Sequence, residues 1–165
     1  MQFVATKPPK CSLTNLHTGE SVDCLFNPTA LSEEVSVEYS KQAVRGMSHQ
    51  PLQYNATGNR QLPALEFYLD KFFAQQQPSD PDILDFRGFL RALTVPPSSP
   101  AGLGAPPRLL FVWPNVITIE TVVRSLKFDY EQFAANASVL IYRATCVLEE
   151  ILDQRVTSEQ LREGV

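Results

Sequence analysis

At 165 residues, 44% hydrophobic and 19% charged, the chain is sized for one globular domain with a sizeable core. Its 18 acidic and 14 basic residues give a net charge of −4, which argues against a nucleic-acid partner, because such binders carry a basic face. No run of about 18 apolar residues occurs, so no membrane span is expected, and Met1–Lys7 lacks the charged lead and apolar block of a secretion signal.

The first elements read as strands. Residues Lys10–Leu16 alternate, with Cys11, Leu13 and Asn15 on one face. His17-Thr18-Gly19-Glu20 supplies a turn, and Ser21–Phe26 returns with Val22, Cys24 and Phe26 on one side, which predicts a β-hairpin. Asn27-Pro28 ends it, since proline cannot donate to a ladder. Val35–Ser40 alternates again, with Val35, Val37 and Tyr39 facing one way, and the polar stretch Lys41–Gln50 reads as a loop. Leu52–Ala56 and Leu62–Leu69 flank the turn signal Thr57-Gly58-Asn59-Arg60, so the two are expected to pair. Pro63 marks an edge or bulge at the start of the returning strand.

One helix is predicted, over Asp80–Thr94. Asp80 is placed to cap it and Pro81 suits the first helical position. Ile83, Phe86, Leu90 and Leu93 recur three or four residues apart, with Phe89 widening the stripe. Asp82 and Asp85 complement the positive end of the helix dipole, and Arg87 and Arg91 lie nearer the negative end. Pro96–Pro107 reads as a loop. Leu109–Trp113, Val116–Val123 and Leu126–Tyr130 are rich in β-branched and aromatic residues and read as strands, with a bulge near Val122-Val123. Ala137–Leu148 is a last long strand, with Val139, Ile141, Arg143, Thr145 and Val147 on one face. From Glu149 onward a frayed or helical tail is expected, polar over Thr157–Val165. The sum is a mainly β fold with one helix (α+β), a β-barrel or sandwich flanked by that helix.

No constellation carries catalytic or ligand chemistry. His17 and His49 fall in turns with no carboxylate or cysteine at ligand spacing, whereas a zinc site needs three or four converging ligands. Gly102-Leu103-Gly104 follows no strand and opens no helix, as a phosphate loop must. Ser48-His49 are adjacent, and adjacent residues do not arrange a nucleophile, base and orienting acid. Trp113 and the phenylalanines could suggest a stacking platform, which also needs basic residues between the aromatics; Phe72-Phe73 and Phe86–Phe89 are instead flanked by acids and glutamines and are expected in the core. Cys11, Cys24 and Cys146, odd in number and without a Cys-x-x-Cys pair, read as buried thiols in a reducing cytosol. No enzyme activity, cofactor or metal is expected.

The order of these features resembles the N-terminal tube-type domain of the adaptor protein of contractile injection systems, the phage-tail-like nanomachines. The resemblance rests on Leu13-Thr14-Asn15-Leu16-His17-Thr18-Gly19-Glu20, Leu25-Phe26-Asn27-Pro28, Pro51-Leu52-Gln53-Tyr54, Leu65-Glu66-Phe67-Tyr68-Leu69-Asp70 and Pro106-Pro107-Arg108-Leu109-Leu110-Phe111-Val112-Trp113. It covers roughly Lys10 to Glu150. Many relatives continue into a LysM module. Here residues 1–150 are expected to form the tube-type domain and 151–165 a polar tail with no such module. The turn Ala134-Ala135-Asn136 also stands where relatives often show a Pro-Asp-Gly-like turn.

The resemblance implies a non-enzymatic subunit of a hexameric ring that joins the inner tube to the spike and baseplate. Its implied partners are other copies of itself, inner tube rings, the spike or hub protein and baseplate components, with neither nucleic acid nor membrane. A cytoplasmic location and incorporation into a phage-tail-like particle follow, release from the cell being left open. The competing reading is a small β-rich binding module with an internal ligand cavity. The extended region Pro28–Arg60, long and poor in core-sized residues, is expected to be the main contact between subunits or rings, through Pro28, Leu31, Val35, Val37, Tyr39, Leu52 and Tyr54.

Overall fold

In the computed structural model of the chain, the described residues are 8–98 and 104–152. The strands are β1 (Ser12–Asn15), β2 (Ser21–Asp23), β3 (Val37–Lys41), β4 (Leu52–Thr57), β5 (Gln61–Asp70), β6 (Leu109–Trp113), β7 (Ile117–Phe133) and β8 (Val139–Glu150), with one helix, α1 (Ile83–Ala92), among the described residues. Six strands make an antiparallel sheet in the order β2-β1-β6-β7-β8-β5, and β3 and β4 make a separate two-stranded sheet. The mainly β reading with one helix is therefore what forms.

The alternation within each strand decides which face is buried. In β5, Leu62, Leu65, Phe67 and Leu69 are buried, and in β8 the matching set is Tyr142, Ala144, Cys146 and Leu148. Arg143, Thr145 and Val147 take the opposite face. Leu13, Phe111 and Ile119 continue the core across β1, β6 and β7. α1 lies on this face through Ile83, Phe86, Phe89, Leu90 and Leu93. Phe86 meets Phe67 edge to face at 5.7 Å, and the buried Tyr142 hydroxyl donates to the Ile83 carbonyl at the helix start.

Several expectations are corrected. The sheet does not close into a barrel. Phe26, just past β2, reaches Tyr68 on β5 with ring centroids 5.9 Å apart, so the two ends of the sheet curl toward each other. No ladder joins them, because β2 has three residues and the chain beyond it is diverted at Asn27. That side chain accepts from the Cys11 N–H and donates to the Pro9 carbonyl. β4 and β5 do not pair with each other. β5 pairs with β8 and β4 with β3, since β5 carries an apolar face that only the core can cover and β4 carries none of the core.

The helix is shorter than Asp80–Thr94. Asp82, with extended backbone, caps it by accepting from the Leu84 and Asp85 N–H groups. Asp80 instead pairs with Lys10 and accepts from the Gln77 N–H. β7 is one strand of 17 residues rather than two. Its predicted bulge is present, as a register shift against β8 between Val123 and Ser125. β8 runs on through Glu149 and Glu150, which lie opposite Val122 and Thr121. The expected tail from residue 153 onward and Gly102-Leu103 lie outside the described residues.

Phe72 and Phe73 are not core: they are 66% and 50% exposed. Asp70 explains it. Its carboxylate accepts from the Phe72 N–H at 2.8 Å and its carbonyl from Phe73 and Ala74, so the chain turns off the sheet before either ring can enter it. Phe86 and Phe89 are buried as expected, and so are the free thiols Cys11, Cys24 and Cys146.

Candidate assembly interface

The β3–β4 hairpin stands away from the core as an arm. Its register places Val37, Tyr39 and Lys41 opposite Thr57, Tyr54 and Leu52. Directly opposed residues share a face, so Val37, Tyr39, Leu52 and Tyr54 form one apolar face. These side chains are between 45% and 60% exposed. Tyr39 and Tyr54 meet edge to face at 6.1 Å, and the Tyr54 and Thr57 hydroxyls are 2.9 Å apart. The opposite face is polar, with Ser40 donating to Asn55 and Gln42 to Gln53. A lone two-stranded hairpin is marginal in water, and this one presents its apolar side to solvent.

The base of the arm is fixed. Glu34 and Gln61 exchange backbone bonds of 2.8 Å, and the Gly58 N–H donates to Ser36 at 2.8 Å. Arg60 closes the joint, reaching Glu150 at 2.8 Å and Glu33 at 3.5 Å. Burial lowers the guanidinium's affinity for its proton, and the bonds to Glu150 and Glu33 more than reverse that, so its pKa sits above the usual value.

Of the seven residues expected at the contact, the structure gathers five on or beside the arm: Val35, Val37, Tyr39, Leu52 and Tyr54. Pro28 is buried and Leu31 packs, partly covered, against the core. Two surface grooves had no signal in the sequence, because each is made by segments far apart in the chain. One, of about 510 Å³, lies between the segment after β2 and the outer side of β5, lined by Leu25, Phe26, Glu66 and Tyr68 among others. The other, of about 560 Å³, lies between the end of α1 and the β7 bulge, with Arg91 and Arg124 on its walls.

The sheet face away from α1 is polar, and its charges are paired. Arg143 spans Glu131 at 2.7 Å and Glu66 at 3.5 Å. Lys127 reaches Asp129 at 2.9 Å, Arg124 reaches Glu149 at 3.1 Å and Arg108 reaches Glu120 at 2.9 Å.

Among the described residues no group of three or more His, Cys, Asp or Glu could hold a metal ion. Ser48 and His49 do touch at 3.3 Å, on the exposed tip region of the arm. Burial pushes the Cys146 thiol up to about 12, and burial followed by the neighbouring Cys11 raises Cys24, so these remain neutral thiols near pH 7. No helix among the described residues is long and apolar enough to cross a membrane.

Fold and surface together describe a mainly β subunit whose most distinctive surface is an uncovered apolar arm rather than a reactive cleft. The chain belongs to the contractile injection system tube protein family, which it matches over residues 2–159. A comparison with curated proteins gives no match. Membership makes it a structural tube protein that assembles with other subunits of a phage-tail-like particle.

Proposed function

We propose that the chain forms a hexameric adaptor ring that links the inner tube to the spike and baseplate, with residues 1–150 acting as one assembling unit. The observation that carries this reading is the arm, whose apolar face of Val37, Tyr39, Leu52 and Tyr54 has no cover within the subunit. A ring is a heterologous assembly that closes. Each subunit therefore needs a projecting element on one side and a receiving surface on another, and an arm with a fixed base suits the first part. Covering four such side chains against a neighbour, at about 1.5–3 kcal/mol for a fully buried large apolar side chain, offsets a large share of the entropy of association.

The charge-paired sheet face suits the lumen of such a ring. Each of its cations, Arg108, Arg124, Lys127 and Arg143, is paired with a carboxylate within the subunit, so it offers a passing polypeptide hydrogen-bonding groups without an unpaired cation.

Cryo-imaging of particles carrying a tagged copy of this chain tests the reading. One sixfold ring at the junction of tube and baseplate is expected. Copies repeated along the whole tube would make it the main tube subunit instead, and a monomer absent from particles would end the proposal.

A further inference from the structure

We propose that the arm of one subunit seats in the groove along the outer edge of β5 of the next. This rests on the assembly role of the arm proposed above and names its receiving surface.

Three features of that edge converge. The first is free backbone. β5 ends the strand order, and its partner β8 occupies one side only. Lys71 donates its N–H across to Leu140 of β8. Backbone groups of a strand alternate in direction, so the N–H and C=O groups of Glu66 and Tyr68 point off the sheet. No backbone partner meets them among the described residues.

The second feature is space. The open groove of about 510 Å³ runs beside these groups, walled by Leu25 and Phe26 on one side and Tyr68 on the other. The third is an aromatic cluster at the groove's end. Phe26 contacts Tyr68 at 5.9 Å and Phe73 at 5.8 Å, and Phe26 and Phe73 are 38% and 50% exposed. Unpaired strand edges and uncovered aromatic rings are both features that soluble proteins limit unless they are used.

The arm supplies what this edge lacks. β4 is paired with β3 on one side only, so its other edge has free N–H and C=O groups. Leu52 and Tyr54 stand at strand spacing beside that edge, 60% and 57% exposed. Strand addition satisfies both edges at once, with the ladder giving affinity and alternate side chains filling the pocket. The subunit's own arm does not make this contact, because its apolar face stays exposed while tied at its base to Gln61 and Glu150. The second groove, beside Arg91 and Arg124, has a mixed polar lining and no free strand edge, so it fits an extended apolar hairpin less well.

Site-specific photo-crosslinking in cells that produce the particles tests the seat. A benzophenone amino acid replaces Tyr54, and crosslinked peptides are mapped by mass spectrometry. An inter-chain crosslink from Tyr54 to residues 25–29 or 66–73 is expected. Two variants should abolish it: Glu66→Pro, which removes an outward N–H without touching the β8 ladder, and Phe26→Glu, which alters only the groove wall. Arg91→Glu, in the other groove, should leave it intact. An inter-chain crosslink mapping elsewhere, or crosslinks only within one chain or only to other proteins, overturns the seat. Deleting Glu38–Met47 tests the assembly role separately. If that deletion blocks assembly while the crosslink maps elsewhere, only the seat falls; if the deletion assembles normally, the role of the arm falls with it.

Discussion

The β5–β8–α1 region and the β3–β4 arm are both built on antiparallel strand pairs and behave as opposites. Over Leu65–Leu69 of β5 and Tyr142–Leu148 of β8 every second side chain is buried, and Phe86, Phe67 and Tyr142 fill the space beneath the helix. In the arm the same alternation gives an apolar face with nothing on it. Period-2 patterning therefore fixes which side chains share a face without fixing what that face packs against. Stability is concentrated in the first region, and the second is free to be read by a partner.

If that division holds, substitutions should separate into those that unfold the subunit and those that only disconnect it. The largest loss is expected for Phe86→Ala, which leaves a cavity against Phe67 and costs about 3–5 kcal/mol. Chemical denaturation measures it as a lower midpoint with unchanged slope. A loss under about 1 kcal/mol would show that the core does not depend on the helix.

Next comes alkaline pH. Cys146 and Cys24 have folded pKa values raised by burial, Cys146 to about 12. Their contribution is fully present below the unfolded thiol value of about 8.5 and declines as pH rises toward 12, because only the unfolded chain gains by ionising. Melting temperature should fall over that window, and Cys146→Ala should flatten the slope. Below pH 8 the same thiols should resist alkylation until the protein is denatured.

Tyr142→Phe should cost about 0.5–1.5 kcal/mol, since it removes the buried hydroxyl's hydrogen bond to the Ile83 carbonyl. Arg60→Ala should cost the subunit less than about 1 kcal/mol. It should nonetheless speed proteolysis within residues 33–58, since it loosens the base of the arm while leaving the core alone.

The sequence made one region far more legible than the other. Helix α1 announced itself through Ile83, Phe86 and Leu90, and the first hairpin through the turn at Gly19, whose φ of +75° suits glycine. Strand partners were hidden. The turn signal at Thr57–Arg60 is local, whereas the choice of β8 over β4 for β5 depends on a face 73 to 86 residues away, as the Leu69–Tyr142 and Leu62–Leu148 pairings show. Phe72 and Phe73 looked like core by residue type, and the turn at Asp70, whose carboxylate and carbonyl both bond back to the chain, keeps them out. Of the proposed interface, the arm was visible because it is contiguous. The groove at β5 was not, since residues 25–29 and 66–73 come together only once the sheet curls.

The smallest effect on stability, and the largest on function, is expected from Tyr39→Asp with Tyr54→Asp. Both side chains are more than half exposed, so the melting temperature of the subunit should stay within about 2 °C of the wild type. Imaging of particle preparations from cells carrying the double variant is the most direct test. Folded subunits without rings would agree with an arm that serves assembly alone. Normal rings and complete particles would contradict it.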